Sequence, residues 1–309
     1  MKQKKILNIL LFLILFSATT FAQTGKIPSN AKAGLSADST SQSLLKPQKS
    51  ITQGSVTVEG TRINYQAVAG TLILKNKDDK PTCSMFYTAY FKDGVSDESQ
   101  RPVTFIYNGG PGSSTLWLHM GAWGPQRAVI KDTEKILPPY KTVNNDYSLL
   151  DASDLVFIDA PGTGFSRIIT KEDGGAGTTK DFYGIDPDGE AFAQFITRFL
   201  SDYDRWESPK YLFGESYGTF RSAVLSNILE TRDNVDLNGV ILLSQLFSYI
   251  NMSDIAERDP GNNNLAYELS LPSAAATAWY YHKVPNQPAQ LEPFLKEVEQ
   301  FAMHDYALA

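Results

Sequence analysis

Cysteine is almost missing from this chain. Cys83 is the only one in 309 residues, so no disulfide can close within the chain and stability has to come from burial. Histidine is nearly as scarce: His119, His282 and His304 are the only imidazoles available to hold a metal or carry a proton. No group of Cys, His, Asp and Glu has metal-ligand spacing, so neither a metal nor another cofactor is expected. Lys and Arg number 28 against 34 Asp and Glu, a formal net charge of -6. The basic excess that marks a nucleic-acid partner is therefore absent. There is no internal repeat, and no apolar run reaches the ~20 residues needed to span a bilayer.

What is present begins with a targeting segment. The basic Met1-Lys-Gln-Lys-Lys5 leads into an apolar run, Ile6 to Phe16, broken only by Asn8. Ser17-Ala-Thr-Thr-Phe-Ala22 then supplies small residues ahead of Gln23. Residues 1–22 read as a secretory signal peptide rather than a stable membrane anchor, giving a periplasmic or secreted protein. No cysteine follows the expected cut, which disfavours a lipoprotein. Cys83, in the strand-like Cys-Ser-Met-Phe-Tyr, reads as packing rather than chemistry.

Residues 23–50 are polar and rich in Ser, Ala and Lys, and read as a disordered lead-in. From Ser55 to Lys92 come short β-rich pieces: Val56–Val58, Ile63–Tyr65, Thr71–Leu74 and Met85–Phe91. Gly60, Gly70 and Lys77-Asp-Asp-Lys80 punctuate them, which predicts an antiparallel meander. The next strands are Val103–Tyr107, Leu155–Ile158, Tyr211–Phe213 and Val240–Leu243. They are short and nearly all apolar, as in strands covered on both faces. A helix lies between the second and third, with Asp186 as expected N-cap, Pro187 in the first turn, and Ala191, Phe192, Phe195, Ile196 and Phe199 on one face. Such alternation predicts an α/β fold with a parallel core. Beyond Tyr249 the strands stop. Residues 254–264 read as loop with a turn at Asp259-Pro-Gly261, Ser273–Trp279 as helix, and Leu291, Phe294, Leu295, Val298, Phe301 and Ala302 as an amphipathic stripe.

Three stretches carry the chemistry. Gly214-Glu-Ser-Tyr-Gly218 follows the strand Tyr211–Phe213. It precedes Phe220, Val224 and Ile228 at helical spacing. This is G-x-S-x-G between strand and helix, the pattern of a nucleophile elbow that exposes a serine hydroxyl. Read blandly, the same residues are a serine in a Gly-rich loop. Asn108-Gly-Gly-Pro-Gly-Ser-Ser-Thr115 follows the first apolar strand, and its paired glycines bare backbone N–H groups. Phe157-Ile-Asp-Ala-Pro-Gly-Thr-Gly-Phe-Ser166 follows the next strand.

Together and in this order, N-G-G-P-G, D-x-P-x-G-x-G-F-S and G-E-S-Y-G resemble the serine carboxypeptidase family over residues 55–305. The resemblance implies an α/β-hydrolase fold with antiparallel N-terminal strands and a parallel core. Residues 51–250 would form an incomplete core, and residues 251–309 the start of a helical cap. It implies that Ser216 is the nucleophile and that Gly110 and Tyr217 give the oxyanion-hole N–H groups. Asn108 and Glu215 would bind the free C-terminal carboxylate of a peptide substrate. Asn108 can donate from its amide, and a protonated Glu215 can donate instead of repelling, which favours acid. Two positions depart from the family. Ala122 stands where many members carry a glutamate, so no second carboxyl is there to raise the pKa of Glu215. Ser113 stands where the family commonly has a disulfide cysteine.

The serine also needs a histidine base and an orienting carboxylate. His119 precedes the nucleophile and reads as structural. His282 and His304 follow it, and Asp254 or Asp259 could formally complete a triad. Both histidines nevertheless lie in helix-like sequence, whereas this fold presents base and acid on loops after later strands. The expectation is therefore an N-terminal fragment whose catalytic Asp and His lie beyond residue 309, inactive as it stands. The reaction implied is release of C-terminal residues through an acyl-enzyme. An esterase or acyltransferase of the same fold, favoured by Ala122, and a non-catalytic peptide-binding protein remain open. Side-chain preference and oligomeric state leave no mark on the sequence.

Overall fold

Three long antiparallel strands come first: β1 (Lys49–Val58), β2 (Thr61–Lys75) and β3 (Pro81–Lys92). The computed structural model describes residues 44–130, 138–246, 248–249, 251–252 and 264–306. Residues 1–43, Asp254 and Asp259 lie outside these, and with them the signal peptide and most of the lead-in. The meander starts earlier than expected, because Lys49 already pairs with Gly70 across the first hairpin. Its turn is two residues, Glu59 and Gly60, both at positive φ, the tight turn that matches strand twist. Gly70 does not punctuate. It sits inside β2, where a Cβ would come within 2.8 Å of the Tyr87 hydroxyl and 2.9 Å of the Gln48 carbonyl. The glycine is there for close approach between strands, which separates the expected pieces Ile63–Tyr65 and Thr71–Leu74 only on paper.

The sheet then turns parallel. β4 (Val103–Tyr107) is followed by a small hairpin of β5 (Gln126–Ala128) and β6 (Thr142–Asn144), then β7 (Asp154–Ile158) and the short β8 (Arg167–Ile168). Helix α1 (Ile185–Asp202), strand β9 (Lys210–Glu215), helix α2 (Tyr217–Thr231) and strand β10 (Gly239–Leu243) complete it. The order is β1-β2-β3-β7-β4-β9-β10, with β7, β4, β9 and β10 parallel and β8 beside β3. Every residue of β4 and β7 is buried. Alternate residues feed two cores. Phe105 and Tyr107 join Phe192, Phe195 and Phe199 of α1 and Leu225 and Leu229 of α2, while Ile106 and Phe213 face Leu118, Leu150 and Phe157.

Two further expectations change. The cap of α1 is Gly184, not Asp186. Gly184 takes a φ of +153°, and Asp186 and Asp188 sit in the first turn, where acidic groups suit the helix dipole. β10 is not covered on both faces. Among the described residues it has one neighbour, β9, and Val240, Ile241, Leu242 and Leu243 are 38–43% exposed. Beyond it, helices α3 (Asn264–Tyr280) and α4 (Leu291–Phe301) lie against each other, with the Leu291, Phe294, Leu295 and Val298 stripe only half-buried.

The amino ends of the parallel strands are closed by buried charge. Asp154 takes hydrogen bonds from Arg101 Nε at 3.1 Å and Arg205 Nη1 at 2.6 Å, and Arg205 also donates to the Arg101 carbonyl. Above this network Phe199 is ringed by Tyr87, Phe105 and Tyr203 at centroid distances of 5.5, 5.5 and 4.4 Å. Truncation there leaves a cavity between sheet and helix. Phe199→Ala is expected to cost about 3–5 kcal/mol in denaturant unfolding. A loss below about 1 kcal/mol, the size of an ordinary surface change, would contradict this packing.

Candidate active site

The sharpest local feature follows β9. Ser216 has φ 57° and ψ −122° and caps α2, so the chain reverses from strand to helix at the serine. A side chain in that region costs on the order of 1–3 kcal/mol and persists only where surroundings impose it. Here the Ser216 N–H donates to the Leu243 carbonyl at 2.9 Å, and its own carbonyl accepts from Thr219 N and Oγ1 at 2.9 and 2.7 Å. Gly214 is obligatory, because a Cβ would lie 2.2 Å from the Gly218 carbonyl oxygen. Ser216 is half-buried, and its Oγ has no hydrogen-bond partner among the described residues.

Tyr217 is the first residue of α2, so its N–H has no acceptor within the helix and sits at the positive end of the dipole. The loop after β4 lies directly against it. A Cβ on Gly109 would come within 2.4 Å of Tyr217 N and 2.6 Å of the Glu215 carbonyl. Gly110 follows at φ +110°. The residue just past β4 and the last residue of β9 complete the group. Asn108 and Glu215 lie two positions beyond Ile106 and Phe213 and meet: Asn108 Nδ2 donates to Glu215 Oε2 at 3.0 Å, and Gly109 N–H donates to the same oxygen at 3.3 Å. Asn108 is 2% exposed, and its Oδ1 accepts from Leu118 N at 3.1 Å, which fixes the amide. The structure thus gathers Asn108, Glu215, Ser216 and Tyr217 in one place, with the Gly109–Gly110 turn against them.

Sequence reasoning missed the residues that hold this group. Arg221 is fully buried on α2. Its Nη1 donates to the Asn108 carbonyl at 2.9 Å, while Nε and Nη2 reach Asp188 of α1 at 2.7 and 3.1 Å. The one signal was an arginine four residues after Tyr217, on the same helix face. Asp159, in the third motif, joins two loops: Oδ1 accepts from Thr115 N at 2.9 Å and Oδ2 from Phe165 N at 3.0 Å. Burial raises its pKa. Beside the elbow opens a cavity of about 480 Å³ lined by Tyr183, Ile185, Asp188, Tyr217, Arg221 and Tyr249.

Three histidines are described, and His282 lies in a turn just past α3 rather than in a helix. His119 lies in a π-helical turn, Trp117–Trp123, stacked on Phe157 at 4.5 Å with Nε2 2.8 Å from the Tyr90 hydroxyl. Burial pushes its pKa down to about 4. It is neutral and occupied, a structural ring. His282 is exposed with Nδ1 near Gln287, and His304 is exposed in the final turn; neither bonds to Ser216. Cys83 is buried and its thiol is pushed up to about 12, which leaves it inert. The Ala122 and Gly124 carbonyls both accept from Asn145 Nδ2, and the Gly124 N–H donates to the His119 carbonyl. Among the described residues no group of His, Cys, Asp and Glu is placed to hold a metal ion, and no helix is long and apolar enough to cross a membrane.

His119 yields a pH prediction. Its folded pKa lies below the unfolded value of 6.5, so the unfolded chain binds the extra proton between them. The contribution is fully present above pH 6.5 and is lost as pH falls toward 4. In His119→Gln, denaturant midpoints measured across that window should decline less steeply than in the parent. An identical slope in both proteins would contradict the neutral, buried assignment.

The chain is similar to several known proteins. The family model for serine carboxypeptidases matches residues 59–280. Carboxypeptidase Y homolog A of Phaeosphaeria nodorum is 28% identical over 174 residues, 54% of this chain and 27% of that protein. Serine carboxypeptidase-like 36 of Arabidopsis thaliana is 26% identical over 172 residues, 53% of this chain and 32% of that protein. The matched stretch therefore spans about a third or less of these relatives' length. Among solved structures, the prohormone-processing carboxypeptidase Kex1(delta)p of Saccharomyces cerevisiae aligns with a TM-score of 0.49 at 20% identity, over 77% of this chain and 53% of that one. A mixed sheet with a parallel core and an elbow serine at the carboxyl end of β9 is the α/β-hydrolase arrangement. With the family model matched along most of its length, the chain belongs to the serine carboxypeptidase family.

Proposed function

We propose that this protein releases C-terminal residues from peptides through an acyl-enzyme on Ser216. The observation that carries the reading is the Asn108–Glu215 pair, joined at 3.0 Å one residue from the elbow serine. A polar pair fixed there suits the terminal group of a substrate whose last peptide bond lies over Ser216. Ser216 Oγ attacks that carbonyl carbon, and its proton passes through an imidazole to the leaving amine. The C–N bond breaks, and water then hydrolyses the acyl ester. The described residues place no histidine beside Oγ. The Gly110 and Tyr217 N–H groups would hold the oxyanion; the bare first N–H of α2 supports the second assignment. The cavity beside Tyr217 would take the side chain on the acyl side. Residues 1–22 would carry the protein out of the cytoplasm.

A second reading, an esterase or acyltransferase using the same serine, is favoured by Ala122. No side-chain carboxyl stands there to share a proton with Glu215.

Digestion of peptides with a free C-terminus by the full gene product, followed by mass spectrometry, separates these. Stepwise loss from that end is expected, with Ser216→Ala folded but inactive. Glu215→Ala removes the acceptor that Asn108 Nδ2 and Gly109 N–H share, so it should raise KM for peptides with a free C-terminus more than for their C-terminal amides. Ester turnover with no preference for a free C-terminus would favour the second reading, and full turnover by Ser216→Ala would remove Ser216 from the mechanism.

A further inference from the structure

The peptide that leads into the oxyanion turn is held from both sides of the nucleophile. Its N–H, on Gly109, donates to Glu215, the residue before Ser216. Its carbonyl, on Asn108, accepts from Arg221, five residues after Ser216 and on the helix that the serine caps. The next peptide along carries the Gly110 N–H. The other donor assigned to the oxyanion, Tyr217 N–H, belongs to the same helix as Arg221. One buried guanidinium therefore ties together the two segments whose N–H groups must converge.

We propose that Arg221 is a positioning residue that sets the geometry of the oxyanion hole, an inference that rests on the hydrolase reading above. Its environment is built for a fixed orientation. Asp188 grips Nε and Nη2 in a two-pronged bond, which leaves Nη1 pointing along one direction, to the Asn108 carbonyl. Phe192 covers the guanidinium at 4.2 Å, with Tyr107 and Tyr217 at 5.2 and 5.4 Å. The fork cannot swing without losing both oxygens and the rings together. Lysine has a single ammonium on a flexible stem and cannot span Asp188 and Asn108 in this way.

The same molecule contains its own control. Arg205 is equally buried, bonds Asp154 at 2.6 Å, and likewise donates to a backbone carbonyl, that of Arg101 at 2.7 Å. It lies at the amino ends of the strands, away from Ser216. Burial, the ion pair and the carbonyl acceptor are matched; Arg205 differs in reaching its carboxylate through one nitrogen, in giving Nε to Ser208 Oγ, and in location.

The test uses the full-length gene product and compares Arg221→Lys with Arg205→Lys. Peptide turnover is counted per site labelled to completion by a fluorophosphonate. Arg221→Lys should lower kcat on the order of 10²-fold with KM nearly unchanged, the consequence of a misplaced donor. Arg205→Lys should lower the unfolding midpoint and leave kcat per site as it was. Where Arg221→Lys fails to fold, the paired replacement Arg221→Met with Asp188→Leu removes both charges at similar volume, a change that often preserves stability. It should fold and show the same fall in kcat. Unchanged kcat per site in a folded Arg221 variant, or an equal loss in Arg205→Lys, would overturn the inference and leave the hydrolase reading intact. No turnover in the wild-type protein would remove both.

Discussion

The site depends on one constraint, a serine backbone forced to φ 57° where the chain passes from strand to helix. The strain costs on the order of 1–3 kcal/mol. The bonds that oppose it, Ser216 N–H to Leu243 and Thr219 to the Ser216 carbonyl, contribute about 0.5–1.5 kcal/mol each. The two sides are of similar size, so the elbow stands because both of its flanks are fixed. Gly214 admits the return of the chain past Gly218, and Gly109 admits the neighbouring loop to within contact of Tyr217. Replacing either glycine would put carbon where backbone already is.

Buried charge performs two different tasks at the two ends of the parallel strands. At the amino ends, Arg101, Asp154 and Arg205 close the sheet and touch no functional residue. At the carboxyl ends, Asp188 and Arg221 hold the carbonyl of Asn108, and through it the turn that faces Ser216. A buried pair is weak evidence for stability in itself, since desolvation consumes much of the attraction. Its value at the elbow is directional: a guanidinium with two prongs engaged aims its third.

Much of this was written locally in the sequence. The elbow, the two Gly-rich loops and the apolar strands β4, β7 and β9 each fit within a short window, so spacing alone revealed them. What stayed hidden depends on distant partners. Arg221 meets residues 33 and 113 positions away, and nothing near it in the chain names them. Gly70 looked like a turn because a glycine that admits a neighbouring Tyr87 reads the same as one that bends the backbone. β10 looked buried because its residues are apolar; whether a second neighbour covers them is not a property of five residues. The true cap of α1 was hidden for a related reason. Asp186 has the right side chain, but the chain enters the helix at a φ that Gly184 supplies.

The central claim is that Ser216 is the one activated hydroxyl on this scaffold. Treating the full gene product with a fluorophosphonate and mapping the adduct by peptide mass spectrometry tests it most directly. The account predicts a single adduct on the peptide containing Gly214-Glu-Ser-Tyr-Gly218, at Ser216, formed in step with loss of turnover. Turnover that survives complete labelling of Ser216, or is lost through an adduct at another residue, would contradict it.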